Sequence, residues 1–286
     1  MTRPFTVAII QARMASSRLP GKVLLDIRGE PMLARVVQRT RLARGIDQVL
    51  VATTTDPSDD PVQTLSNERD IPCFRGSQHD VLDRYYRAAL QSHAEIIVRI
   101  TADCPLIDPG LIDKTVDAFM GMAEDELETR DNLERMPPGA LRVTPEAPYD
   151  FAANRLPPPW GRTYPIGLDT EVCTFQALGT AWKEAEEPHQ REHVMPYFYD
   201  HQERFRILLI NHDQDFGSMR WTVDTSEDLE LVRRIYAHFS PRSDFTWLEV
   251  LDLFRREPEL ALINAGVRHK SYDEIDDRQR TSDSRA

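Results

Sequence analysis

Short apolar runs alternate with stretches of helical spacing through the first 120 residues, and this alternation constrains the fold more than any other feature. Residues 6–11 are an apolar run that ends in polar residues, which predicts a buried strand. Pro31 suits the first turn of a helix, and Met32, Leu33, Val36 and Val37 continue at helical spacing toward Ala43. Residues 48–54 predict a second strand, and the Pro- and Asp-rich residues 56–61 lead from it into a polar helix. Val81, Leu82, Tyr85, Ala88 and Ala89 mark one face of another helix. Residues 95–100 predict a third strand and 109–120 the helix that follows it. Such β–α alternation predicts an α/β fold, with a mostly parallel central sheet flanked by helices. Ligands of such sheets bind beyond the carboxyl ends of the strands.

The later chain is less regular. Residues from about 122 to 160 are acidic, then Pro-rich, and lack periodicity, so they are expected to leave the core as an irregular excursion. Residues 205–210 and 220–223 predict strands. Leu229, Val232, Ile235, Tyr236 and Phe239 form a helical stripe, opened by Thr225-Ser226-Glu227-Asp228 in the manner of a capping box. One α/β domain over 1–265 is therefore expected, followed by a charged, disordered tail at 266–286.

The net charge of −12 disfavours coating a nucleic-acid polymer or an anionic membrane, although a local basic site remains compatible with it. Cys73, Cys104 and Cys173 are odd in number and widely spaced, which excludes a disulfide framework and fits a reducing cytoplasm. The run Val7-Ala8-Ile9-Ile10 is too short for a signal peptide or a membrane span.

Most of the chemistry is concentrated directly after the first strand, in Gln11-Ala12-Arg13-Met14-Ala15-Ser16-Ser17-Arg18-Leu19-Pro20-Gly21-Lys22. Two Arg, a Lys, Ser hydroxyls and turn amides suit a polyphosphate cradle. Ser16 and Val23 depart from a Walker A loop. On charge pattern alone, a solvated basic turn explains the segment equally well. Asp103 and Asp224 each follow a predicted strand, where a carboxylate meets a ligand at the sheet edge. A lone Asp there is more often a helix N-cap. Two of them near a basic loop favour a site for Mg²⁺, which prefers oxygen ligands and bound phosphate. His189-Gln190-Arg191-Glu192-His193 matches the inverted zinc-protease pattern, but the pattern is short and Pro188 puts His189 at a helix start. Cys104, beside Asp103, reads as a small buried residue. Trp160 and Tyr164 suit either an aromatic wall for a sugar or packing.

Residue by residue over 11–24, the basic segment resembles the signature of the cytidylyltransferases for 3-deoxy-manno-octulosonate and for acylneuraminate. The branch named after the spore coat polysaccharide protein F looks closest. The motifs containing Arg75-Gly76-Ser77, Arg99-Ile100-Thr101-Ala102-Asp103, Pro165-Ile166-Gly167-Leu168-Asp169, Arg191-Glu192-His193-Val194 and Arg220-Trp221-Thr222-Val223-Asp224 follow in the family's order. The resemblance implies a nucleotide-diphospho-sugar transferase architecture, Rossmann-like in outline. It implies that CMP is transferred from CTP to a sugar or sugar acid, with pyrophosphate released, for surface polysaccharide or glycan synthesis. By the same resemblance Gln11, Ala12, Arg13, Ser16, Arg18, Gly21, Lys22, Ser77, Asp80, Arg84 and Asp103 bind the nucleotide. Arg13, Lys22 and Asp103 are then catalytic, Asp103 and Asp224 hold Mg²⁺, and Asp169, Glu171, Arg191 and His193 bind the acceptor. A cytoplasmic homodimer is the family's expectation. The competing readings are a glycosyltransferase using a nucleotide-sugar donor, with Asp213-Gln214-Asp215 as its nearest metal motif, and a homologue that binds nucleotide without turnover.

Overall fold

The computed structural model describes residues 3–122 and 149–268. Strands β1 (Thr6–Gln11), β4 (Gln48–Thr54), β5 (Cys73–Gly76) and β6 (Ile96–Thr101) run parallel, as the apolar runs predict. Two small hairpins stand apart from the main sheet: β2 (Asp26–Ile27) with β3 (Glu30–Pro31), and β8 (Arg155–Leu156) with β9 (Gly161–Arg162). The sheet is completed by β7 (Phe151–Ala153), β10 (Glu171–Thr174) and β11 (Ile207–Leu209), in the order β11-β7-β10-β6-β1-β4-β5. Among the described residues only β10 runs against the other strands of this sheet.

Nine α-helices are described: α1 (Met32–Thr40), α2 (Asp60–Glu68), α3 (Val81–Gln91), α4 (Pro109–Phe119), α5 (Phe175–Glu184), α6 (Pro188–His193), α7 (Pro196–Asp200), α8 (Ser226–Phe239) and α9 (Trp247–Arg256). Side chains of the central strands alternate between two cores. Ala8, Ile10, Val49, Val51, Val98 and Ile100 join the core under α1, α2, α4, α8 and α9, whereas Val7, Ile9, Leu50, Ala52 and Ile97 join the core under α3, α5 and α7. A strand buried on both faces must be apolar throughout, which is why these segments read as unbroken runs. Each buried Val, Leu or Ile contributes about 1.5–3 kcal/mol.

Two expectations fail here. Phe151–Ala153 falls within the excursion expected at 122–160, yet it is a fully buried strand between β10 and β11. Three residues, two of them Ala, are too few for a period to register. Residues 123–148 of that stretch, and 269–286 of the tail, lie outside the described residues. Residues 220–223 are not a sheet strand either. Apart from a single bridge between Ile166 and Arg220, their backbone pairs with loops: Trp221 N–H donates to Ile166 O at 2.7 Å and Val223 N–H to Asp103 O at 2.8 Å. An apolar run buried by loops and one buried by strands look alike in sequence.

The chain order creates the site. From β1 it proceeds outward through β4 to β5, then α3 returns it to β6 on the other side of β1. The order therefore reverses between β1 and β6, and a crevice opens beyond their carboxyl ends. In register Gln11 faces Thr101 there, so the basic loop and Asp103 emerge side by side.

Candidate nucleotide and metal site

The basic loop is fixed by its own backbone and by one buried carboxylate. Met14 O accepts from the amides of Ser16 (3.0 Å) and Gly21 (2.9 Å). Asp59, 2% exposed, accepts the Met14 amide at 2.6 Å and the Thr54 hydroxyl. Gly21 has φ +70°, a left-handed conformation that glycine adopts without strain, and the 3₁₀ turn Lys22–Leu24 follows it. That turn sends the Lys22 side chain back into the crevice.

There Lys22 Nζ donates to Asp103 Oδ2 at 2.8 Å, to Asp224 Oδ1 at 2.8 Å and to Val223 O at 2.9 Å. The segment bearing Asp224 is tied directly to Asp103, whose carbonyl accepts from Val223 N–H and from the Thr222 hydroxyl at 3.0 Å. Gly167 permits this approach, since a Cβ there would lie 2.6 Å from Thr222 N and 2.7 Å from Trp221 C. Asp224 Oδ2 pairs with Arg18 (2.8 Å) and Arg220 (2.7 Å). Burial opposes the charge on Asp224, but Lys22, Arg220 and Arg18 outweigh it and hold the carboxyl well below the usual range. Burial likewise opposes the Lys22 ammonium, and Asp103 and Asp224 raise its pKa despite that.

Two clefts meet at this cluster. The first, about 220 Å³, is lined by Gln11, Arg13, Ser16, Arg18, Lys22, Asp103, Asp224 and His193 among others. Its lining is polar, with three cations, Arg13, Arg18 and Lys22, set against three carboxylates, Asp103, Glu192 and Asp224. The second, about 470 Å³, shares Asp103, Asp224 and His193 and adds Arg155, Arg162, Asp169 and Tyr199. Asp169 pairs with Arg162 at 2.7 Å and with Arg155 at 3.5 Å. His193 stands at the junction. Burial, reinforced by Arg99 and Arg155, pushes its pKa down to about 4, and its Nε2 is buried without a hydrogen-bond partner.

Several predicted residues lie elsewhere. Ala12, Gly21, Ser77, Asp80, Arg84, Glu171 and Arg191 line neither cleft. Asp80 is the N-cap of α3 and pairs with Arg191, whose Nη1 also donates to Trp182 O at 2.7 Å. Ser77 accepts the Asp80 amide at 3.0 Å, and its carbonyl accepts from Arg84. Arg84 is fully buried, which lowers its pKa to about 10. Glu171 is buried against Arg99. In the zinc-like pattern, His189 pairs with Asp200 at 2.8 Å while His193 faces the clefts. No group of three or more His, Cys, Asp or Glu suited to a metal occurs among the described residues. Asp215 accepts the Gly217 amide and lines neither cleft. Cys104 is buried, and Tyr164 packs edge-on against Trp247. No motif in the sequence marks Asp59, Arg155 or Arg162. Asp59 looks like a helix-start residue, and the two arginines sit in the Pro-rich stretch.

The pair Asp103 and Asp224 fits a hard divalent ion. Two carboxylate oxygens already grasp one cationic nitrogen at 2.8 Å each, and Mg²⁺ commonly takes only one or two protein carboxylates when a substrate phosphate completes its shell.

The sequence pattern of the cytidylyltransferase family spans residues 7–238, and the chain belongs to that family. It is 32% identical to an uncharacterized protein of Methanocaldococcus jannaschii, over 95% of this chain and 99% of that one. It is 28% identical to the spore coat polysaccharide biosynthesis protein SpsF of Bacillus subtilis, over 88% and 95%. It is 31% identical to a 3-deoxy-manno-octulosonate cytidylyltransferase of Anaeromyxobacter dehalogenans, over 80% and 96%. Its fold matches the solved structure of a cytidylyltransferase from Leptospira borgpetersenii with TM-score 0.77 and 28% identity, covering 93% of this chain and 100% of that one. No described helix is long and apolar enough to cross a membrane.

Proposed function

We propose that this protein transfers CMP from CTP to a sugar or sugar acid, releasing pyrophosphate, in the synthesis of a surface polysaccharide or glycan. The observation that carries the reading is the Asp103–Asp224 pair, closed around a cation at the mouth of a basic loop. The first cleft receives the triphosphate against Arg13, Arg18 and Lys22, and the second receives the acceptor between His193, Asp169 and the β8–β9 hairpin. An acceptor oxygen then attacks the α-phosphorus in line. One P–O bond forms to the acceptor, the bond from the α-phosphorus to the oxygen bridging to the β-phosphate breaks, the hydroxyl proton passes to water, and the charge of the departing pyrophosphate falls on the basic loop. Positioning and charge neutralisation do most of the work in such transfers. Lys22 and Arg18 exchange their carboxylate partners for phosphate oxygens as the nucleotide enters. Mg²⁺ bound by Asp103 and Asp224 would neutralise the α-phosphate and lower the pKa of the acceptor hydroxyl.

The test is pyrophosphate release from each of the four NTPs with Mg²⁺, across a panel of sugar acids and sugar phosphates. The reading expects release that needs both CTP and one acceptor. Asp103→Asn should abolish it while leaving the far-UV dichroism unchanged. Full turnover in that variant would remove the central assignment. Consumption of a nucleotide sugar without any need for CTP would favour the glycosyltransferase instead.

A further inference from the structure

The chain beyond the family match, 7–238, returns to the site from behind. After α9 and the 3₁₀ turn Pro258–Leu262, Asn264 is 7% exposed, and its Nδ2 donates to Asp228 Oδ1 at 2.9 Å and to Arg220 O at 3.0 Å. Asp228 has no exposed surface and organises everything around it. Its Oδ1 also accepts from Arg220 Nε at 3.0 Å. Its Oδ2 accepts from Arg220 Nη2 at 3.0 Å and from the amides of Asp224 (2.9 Å) and Thr225 (3.1 Å). Arg220 Nη2 in turn reaches Asp224 Oδ2 at 2.7 Å. Asp228 thus holds the backbone of Asp224, and Arg220 holds its carboxylate. Asn264 fixes both holders at once.

A second contact comes from the same segment: Arg268 O lies 3.5 Å from Nη1 of Arg18, whose Nη2 pairs with Asp224. Both arginines on Asp224 are therefore touched by the stretch from Asn264 to Arg268.

We propose that Asn264 is a positioning residue of the reaction, which through Asp228 and Arg220 sets the angle at which Asp224 presents its carboxylate to the metal and the α-phosphate. This rests on Asp224 as a metal ligand, the reading given above. An amide is the required group. A carboxylate at 264 would face Asp228, and a hydrocarbon would leave Asp228 Oδ1 and Arg220 O each short of a donor. Partners behind a ligating carboxylate commonly change metal affinity or activity by roughly 10–100-fold.

The test compares Asn264→Leu, which keeps the branched shape and removes both donors, with the wild type and with Phe198→Leu. Phe198 is fully buried in the opposite core, so this variant controls for lost stability alone. Mn²⁺ binding is read by electron paramagnetic resonance in the presence of a non-hydrolysable CTP analogue, beside kcat, KM for CTP and thermal midpoint. Asn264→Leu is expected to weaken Mn²⁺ binding roughly tenfold and lower kcat to match, with KM for CTP little changed. Phe198→Leu is expected to lower the midpoint without moving Mn²⁺ affinity. Wild-type Mn²⁺ affinity in Asn264→Leu, or equal loss in both variants, overturns the proposal. Asp224→Asn separates the two readings: if it weakens Mn²⁺ binding while Asn264→Leu does not, the positioning role fails alone. If Asp224→Asn leaves Mn²⁺ binding intact, the metal assignment fails and the proposal falls with it.

Discussion

His193 gives the site a measurable pH signature. Its imidazole is neutral in the folded protein because burial, with Arg99 and Arg155 nearby, pushes its pKa from 6.5 to about 4. As pH falls below 6.5, the unfolded chain takes up a proton that the folded chain refuses. Stability is therefore fully present above that pH and is lost progressively until the folded imidazole also protonates near 4. The interval sets the loss at about 3 kcal/mol. Other groups titrate over the same range, so the informative quantity is a difference. Urea unfolding of the wild type and of His193→Gln, between about pH 7 and pH 4, isolates the imidazole. The wild type should lose about 3 kcal/mol relative to the variant across that range. An NMR titration of the His193 ring should place its midpoint well below that of an exposed histidine. Parallel stability curves, or a midpoint near 6.5, would refute the argument that this imidazole stands neutral between the clefts.

Three further outcomes follow from the geometry. Gly167→Ala should destabilise by about 2–4 kcal/mol in urea, because φ is +105° and the new Cβ meets backbone that cannot swing aside; a cost under about 1 kcal/mol contradicts this. Lys22→Met should reduce pyrophosphate release at least about 100-fold, yet tighten Mn²⁺ binding without nucleotide, since Asp103 and Asp224 lose their internal cation; unchanged Mn²⁺ affinity would count against that cation role. Asp59→Asn should raise KM for CTP roughly tenfold while leaving KM for the acceptor alone, because Asp59 fixes the Met14 amide in the loop; equal changes in both constants would point to general unfolding.

How much of this was legible depended on how local each signal was. β1, β4 and β6 were legible because strands buried on both faces carry the signal themselves, in adjacent residues such as Val7 to Ile10. The capping box at Thr225 was legible for the same reason: its partners are three residues apart. β7 was not, since three residues between two other strands draw their stability from neighbours far along the chain. Arg13, Arg18, Lys22, Asp103, Asp224, Asp169 and His193 line the two clefts. Arg191, Asp80 and Glu171 belong to the same motifs but spend their charge on one another or on Arg99. A motif records which residues occur together and does not say which of them face the ligand.

The same unevenness shows in how the charges of the site are arranged. Asp103, Asp224 and Asp228 would repel one another if they were gathered alone, and Lys22, Arg18 and Arg220 are interleaved among them at 2.7–3.0 Å. The interleaving is unequal. Asp228 is fully buried and its partners are fixed, whereas Lys22 and Arg18 lie at the first cleft, where phosphate oxygens can replace the carboxylates they hold. Exchange of one anion for another would leave the two cations neutralised throughout, and the carboxylates they release are the charges a bound metal would then neutralise. On the proposed reading it would also free Asp103 and one oxygen of Asp224, while Arg220 and Asp228 keep Asp224 in place. On that reading the nucleotide would thus open the carboxylate pair to Mg²⁺, and metal binding should be weak until it does.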